Sequence, residues 1–260
     1  MALSILHEKG PIHNFLIKNP EYNAYLIGDL DDFFWHKTIW FADIIDNEIR
    51  AIALLYVGMG TPCLLAFCSQ EDSTPTKDLL KAIKPLLPQT FLAHLSSGLI
   101  EVFGKENIVE YYGYNCKMAL RNSPNEFKND NIRHLNFENL DMIKNLYSIS
   151  YPNNWFDKRM LGTGQYLGYF DKNNLVGIAG IHVYSEEYKV AALGNIATHP
   201  NYRGQQISYR LTSQLCYELR KSVDHIGLNV KSDNEAAIKC YEKLGFEFIG
   251  NYDECMIKNT

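Results

Sequence analysis

Residues 190–209, VAALGNIATHPNYRGQQISY, decide the fold. The stretch opens apolar, breaks at His199-Pro200 and passes through Tyr202-Arg203-Gly204 into the amphipathic run RLTSQLCYELRKS. That order predicts a buried strand, a tight turn, and a helix whose first turn faces the strand's end. A helix start carries unpaired backbone N–H groups and about half a positive charge, so it attracts anions. Arg203 brings a fixed, forked cation to the same place. The segment is therefore suited to a phosphate or pyrophosphate.

A second block, GLNVKSDNEAAIKCYEKLGF at residues 227–246, reads as an apolar strand ending at Val230, a polar turn, a helix, and Gly245-Phe246. Ala237 and Tyr241 are four residues apart and share a helical face, with Asn234 one turn earlier. A small residue with a phenol above it suits a slender ligand arm lying along the helix. Asn234 also fits as the helix N-cap.

With both blocks in hand, the chain resembles the GNAT superfamily of N-acyltransferases. P-x-Y-R-G-x-x-I is similar to that family's coenzyme A loop, usually R-x-x-G-x-G/A. Here it reads Arg203-Gly204-Gln205-Gln206-Ile207-Ser208, so Gln206 and Ser208 stand where the family prefers glycine or a small residue. Glycine there lets backbone approach phosphate with no Cβ in the way. The second block is similar to the signature N-x-x-A-x-x-x-Y-x-x-x-G-F at Asn234, Ala237, Tyr241, Gly245 and Phe246. The implied fold is α/β (α+β), a central, mixed, mostly antiparallel sheet flanked by helices, with a second, degenerate GNAT-like domain at the N-terminal end.

The resemblance also implies a site. The strand before the loop should splay from its parallel neighbour, so that Ile196, Ala197 and Thr198 offer backbone groups to the pantetheine arm and the acyl carbonyl. The amides of Arg203, Gly204, Gln205, Gln206, Ile207 and Ser208 would hold pyrophosphate, with Asn234, Ala237 and Tyr241 alongside. Tyr241 would hand a proton to the departing thiolate. The implied reaction is direct attack of an acceptor amine on acyl-CoA, acetyl-CoA being the expected co-substrate, with no covalent enzyme intermediate and no metal. The acceptor expected is a small-molecule amine or an amino acid. A base is not legible, because VAALGNIATHP lacks the glutamate that many relatives carry. His182, Glu186, Glu187, His199 and an ordered water stay open. The alternative is a non-catalytic acyl-CoA-binding or regulatory module. Tyr241 favours the enzyme, since binding alone needs no proton donor.

Composition narrows the partners. The formal net charge of -5 and pI ≈ 5.9 argue against nucleic acid or an anionic membrane. No apolar run reaches the ~18 residues of a membrane span. The start, with Glu8 and Lys9, does not read as a secretory signal. The six cysteines show no paired metal spacing and several lie in apolar runs, as expected of reduced thiols in a cytoplasmic protein. A homodimer is left open.

The polar segment 123–130 reads as a linker, dividing residues 1–122 from a coenzyme-binding domain at 131–260. In the N-terminal part, Asn19-Pro20 suggests one capped helix through EYNAYLIGDLDDFFWHK, followed by a hairpin turning at Asp46-Asn47. Then come a strand at PCLLAFC, a helix at TKDLLKAIKPLL and strands at TFLAHLSS and YNCKMAL. Between PCLLAFC and that helix lies only the acidic SQEDSTPT, without an arginine, so no coenzyme site is expected there. In the C-terminal part, a strand at residue 132 and a helix around Leu140–Tyr147 precede a second short helical piece beginning at Tyr151-Pro152. A hairpin then turns at Asp171. Tyr151, Trp155 and Phe156 read equally as an acceptor pocket or as packing.

Overall fold

The computed structural model describes residues 2–58, 60–68, 72–122, 124, 126–127, 129–152 and 154–259. The chain forms two compact units. The first comprises Met1–Lys117, Lys231–Asp233 and Ile249–Thr260, and the second comprises Met118–Val230 and Asn234–Phe248.

The first unit opens with β1 (Ala2–Leu6) and α1 (Lys9–Leu16), which the sequence pattern does not announce. Leu3 and Ile5 of β1 are exposed, so its alternation hides no apolar face. The single helix expected after Asn19-Pro20 is instead two short ones, α2 (Ala24–Gly28) and α3 (Asp32–Trp35). The Asp31 carboxylate accepts from the Phe33 N–H at 3.0 Å and starts a new helix there. β2 (Thr38–Ile45) and β3 (Glu48–Tyr56) form the expected hairpin. Asp46 and Asn47 take φ of 50° and 65°, the left-handed pair that a tight, twist-matched hairpin turn requires.

β4 (Cys63–Ala66), α4 (Thr74–Ile83), β5 (Thr90–Ser96) and β6 (Ile108–Leu120) complete the run, with Lys117 the boundary of the unit. β4 and β5 are parallel, paired along the whole of β4 from Cys63↔Leu92 to Ala66↔Leu95. Leu79, Leu80 and Ile83 of α4 pack with Leu64, Phe91, Ala93 and Phe103 in a buried apolar core. Of the acidic segment SQEDSTPT, residues 69–71 lie outside the described residues. Just after them, the Asp72 carboxylate accepts from the Thr74 N–H at 3.0 Å, at the start of α4.

In the second unit, β7 (Ile132–His134) and α5 (Leu140–Ser150) stand where the pattern puts them. The second helical piece does not begin at Tyr151. It is a 3₁₀ stretch at Lys158–Thr163, started by the Asp157 carboxylate on the Arg159 N–H at 2.9 Å. β8 (Leu167–Asp171), β9 (Asn174–Ser185), β10 (Val190–Thr198), α6 (Ile207–Leu219), β11 (His225–Lys231) and α7 (Glu235–Lys243) follow. Strands β7 to β10 are antiparallel neighbours in order, and β11 joins β10 in parallel. Tyr147, Ile178, Leu193, Leu211 and Leu215 are among the buried residues of this unit. Its Gly177 lets α6 close on β9, since a Cβ there would lie 2.5 Å from Ile207. Of the linker, residues 123, 125 and 128 are outside the described set, while the Phe127 N–H donates to Gln214 at 2.9 Å.

The last strand, β12 (Phe246–Lys258), leaves the second unit. From Tyr252↔Ser96 to Lys258↔Thr90 it pairs antiparallel with β5, inside the first unit.

Candidate active site

β10 is the spine of the candidate site. Its ladder with β11 runs only from Val190↔His225 to Leu193↔Leu228, although β10 continues to Thr198 and β11 to Lys231. Beyond Leu193 the two parallel strands part. On its other side, β10 slips register against β9 between Gly194↔Gly180 and Ala197↔Ile178. Asn195 supplies the bulge with φ of 55°. Three buried contacts hold it. The Tyr147 hydroxyl donates to the Asn195 carbonyl at 2.7 Å, the Asn195 amide donates to the Tyr166 hydroxyl at 3.0 Å, and Tyr166 donates to the Ile181 carbonyl at 2.7 Å. Sequence pattern alone does not reveal this lock. Ile196, Ala197 and Thr198 thus lie in the stretch of β10 unpaired with β11. Two buried polar atoms on those stretches, Thr198 Oγ1 and Asn229 Oδ1, have no hydrogen-bond partner among the described residues.

The loop after β10 brings the remaining predicted residues together. A 3₁₀ turn at Pro200–Tyr202 leads to Arg203, Gly204 and Gln205, all exposed. Gly204 has φ of 77°, and Gln206, immediately before α6, has φ of 61°. Gln206 therefore holds the left-handed conformation that glycine adopts at least cost, at the position where the resemblance expects glycine. The Gln206 side chain makes no capping bond to the first N–H groups of α6. Ile207 turns inward, and Ser208 is half-buried. The Ser208 hydroxyl is in hydrogen-bonding reach of the Cys240 thiol on α7, which burial pushes above its ordinary pKa.

Across from the loop, the Asn234 side chain accepts from the Ala237 N–H at 3.2 Å, so it is the N-cap of α7. Ala237 is half-buried, and Tyr241 is 8% exposed with its ring edge-on to Phe246 at 5.9 Å. Burial pushes the Tyr241 phenol well above its ordinary pKa, and the nearby Cys240, Tyr151 and Cys216 push the same way. Tyr241 thus keeps its proton throughout the neutral range.

The remaining candidates separate by position. Glu186 and Glu187 lie exposed in the β9–β10 turn. His199 follows the far end of β10, its Nδ1 accepting from the Asn201 N–H at 3.3 Å. His182 is half-buried on β9, beside the centre of β10. Phe156 packs on Tyr147 and Tyr166 with ring centroids 5.4 Å and 5.7 Å away, while Trp155 is 42% exposed and Tyr151 is 41% exposed.

Comparison with known proteins points one way. Residues 130–246 match the profile described as the Acetyltransferase (GNAT) family. The chain is 35% identical over 89 residues to the N-alpha-acetyltransferase RimI of Mycobacterium tuberculosis, covering 33% of this chain and 53% of that protein. The chain spans 26% and 53% of the lengths of the curated relatives it matches. Among solved structures, a Drosophila protein superposes with a TM-score of 0.75 at 13% identity, covering 99% of each chain. A tandem GNAT protein from the clavulanic acid biosynthesis pathway superposes with a TM-score of 0.61 at 12% identity, covering 100% of this chain and 99% of that one. These two likenesses are of fold.

Proposed function

We propose that this chain, whose residues 130–246 form a domain of the GNAT acetyltransferase family, is an acyl-CoA-dependent N-acyltransferase. The acyl group is acetyl in the simplest case, and the acceptor is an amine of a small molecule or an amino acid. The observation that carries the reading is the junction of β10 and α6, where a splayed strand runs into an uncapped helix start beside an exposed arginine.

Acetyl-CoA, the co-substrate that the family implies, is a nucleotide pyrophosphate with an amide-rich arm and a thioester. The residues present fit it. Arg203 and the first-turn amides of α6 would hold the pyrophosphate, with Gly204 and Gln206 turning the loop toward it. The orphaned Thr198 and Asn229 oxygens would meet the amides of the arm. When bound, the co-substrate supplies an acyl group already activated for attack. A backbone N–H at the β10 bulge would polarise the acyl carbonyl, a small oxyanion site. Tyr241, kept protonated by burial, would hold a proton for the leaving sulfur. A thiol of pKa ~8.5 leaves readily, so the acid contributes a modest ~10²–10⁴-fold.

The name of the mycobacterial relative, an N-alpha-acetyltransferase, makes an α-amino group the first acceptor class to try. The acidic balance of the chain supports a small amine over nucleic acid. Isothermal titration with acetyl-CoA and CoA tests the site. Micromolar binding by the wild type, weakened roughly 10–100-fold by Arg203→Ala, is the expected result for one lost charged contact. Absence of binding by the wild type would sink the reading.

A further inference from the structure

The junction of β10 and α6 provides an anion cradle and α7 provides an acid, but neither provides a base. We propose that His182 is the base that takes the proton from the acceptor amine, a role that rests on the acyltransferase reading above.

The first argument is register. β9 and β10 pair at Ala192↔Val183 and next at Leu193↔Ile181, so His182 is the extra residue of a bulge in β9. Bulges re-aim a side chain and gather beside active sites. The second argument is room. A Cβ on Gly194 would lie 2.0 Å from His182 Cδ2 and 2.3 Å from its Nε2, so the imidazole rests directly on the β10 backbone at Gly194. Any side chain at residue 194 would displace it. Gly194 is followed at once by Asn195, whose left-handed turn opens the unpaired stretch of Ile196 and Ala197. The ring therefore abuts the backbone proposed to receive the acyl carbonyl.

The third argument is the face. Gly180 and Gly194 are register partners, and a Cβ on Gly180 would strike the Tyr166 ring at 2.1 Å. His182 and Tyr166 thus share one face of the sheet, the face to which Tyr147 of α5 reaches the bulge. Glu186 and Glu187 are remote, beyond the Val190↔Ser185 pair, roughly 13 Å along β10 from Gly194 at about 3.3 Å per residue. His199 is as near to Ile196 and Ala197 along the chain as Gly194 is, but it lies past the end of β10 and its Nδ1 already accepts from the Asn201 N–H at 3.3 Å.

The titratable groups with shifted pKa on this face do not change charge in the neutral range. Burial pushes the Tyr147 and Tyr166 phenols upward, as it does that of Tyr241. Burial alone would raise the Asp157 carboxyl, but hydrogen bonds from Arg159 hold it below its ordinary value. Tyr184, two residues along β9, lies beyond the bulge on the opposite face of the sheet, where its hydroxyl donates to Ser222. In the step itself, the lone pair of the neutral acceptor amine forms the new N–C bond as the C–S bond breaks, and the N–H bond of the nitrogen so made positive breaks, its proton passing to the imidazole. The sulfur leaves with its electron pair and takes the Tyr241 proton, and solvent returns a proton from imidazolium to phenolate.

The test compares wild type, His182→Gln and Gly194→Ala in three readouts. These are acetyl-CoA affinity by titration calorimetry, thiol release with a panel of amines across pH, and the NMR titration midpoint of the His182 ring without ligand. Both variants should bind acetyl-CoA within about threefold of wild type and lose roughly 10²–10⁴ in kcat/KM. The wild-type acid limb should coincide with the ring's NMR midpoint and vanish in His182→Gln. Retained turnover in His182→Gln, or an acid limb displaced from that midpoint by more than one pH unit, overturns the role of His182 and leaves the acyltransferase reading intact. A wild type that neither binds acetyl-CoA nor acylates any amine overturns both. Should Gly194→Ala fail to fold by circular dichroism, His182→Gln decides alone.

Discussion

The β4–α4 junction of the first unit and the β10–α6 junction of the second are built to one plan and finished differently. In each, a strand with a parallel partner runs into a helix. β4 is paired along its whole length with β5, while β10 parts from β11 after four residues. Just past β4, the Ser96 hydroxyl accepts from the Cys68 N–H at 3.1 Å and meets the Tyr22 hydroxyl at 2.9 Å, so the ends of the two strands are tied. Neither helix is capped by its N-cap side chain, but the Thr74 N–H at the start of α4 is taken by the Asp72 carboxylate, whereas α6 has an exposed arginine near its start. A carboxylate seated at a helix start repels a phosphate that an open start would attract. The lesson is that a fold can be kept while its ligand site is closed by a few local hydrogen bonds.

The sharpest way to break this contrast is Tyr241→Phe. It should lower turnover by roughly 10²–10⁴-fold while acetyl-CoA affinity holds, as stopped-flow thiol release and calorimetry would show. Full activity in that variant would mean that the sulfur leaves without a proton from Tyr241.

Next in size is a test of the first unit. Lys117 is 2% exposed, its ammonium nitrogen has no hydrogen-bond partner among the described residues, and it lies 3.4 Å from the centroid of Phe67 with Tyr22 and Tyr252 close by. Burial pushes its pKa down to about 7. The unfolded chain then binds more protons between pH 7 and the ordinary lysine value near 10.4. Stability is therefore present at high pH and lost as pH falls through that window to about 7. Lys117→Met should raise stability at pH 7 by a few kcal/mol, less whatever the surrounding rings return to the cation. Its advantage should shrink toward pH 10 in urea melts, with acyl transfer unchanged. A loss of transfer would give the first unit a part in the chemistry.

Smaller still, Gly204→Ala meets no neighbouring atom but forces a Cβ into a left-handed residue. It should cost about 1–2 kcal/mol, visible in thermal melts together with weaker acetyl-CoA binding. The reverse change, Gln206→Gly, relieves such a residue and should stabilise by up to about 1 kcal/mol. If Gln206→Gly instead weakens binding, its amide side chain is itself a contact.

Much of the second junction was legible in the chain. The order of apolar run, His199-Pro200, Arg203-Gly204 and amphipathic helix foretold the strand, turn and helix. The spacing of Asn234, Ala237 and Tyr241 foretold a capped helix with a phenol inside. The left-handed state of Gln206 was not legible, because a glutamine declares no preference for it. Nor was the place of His182, which depends on a bulge in β9 and on the missing Cβ of Gly194 a strand away. In the first unit, β1 escaped notice because its apolar residues are exposed. The helix expected from Asn19 onward divided at Asp31, whose carboxylate competes for the backbone donors that would have continued it.

The course of β12 bears on how the protein is made. β5 spans Thr90–Ser96, yet its antiparallel partner is Tyr252–Lys258. At ribosomal rates of ~5–20 residues per second, β5 waits roughly 8–30 s on one edge for a strand not yet synthesised. The half translated first is thus the half completed last. Nascent chains stalled before residue 250 should carry an open sheet edge, the kind of surface that chaperones shield and that unfinished neighbours on a polysome can capture.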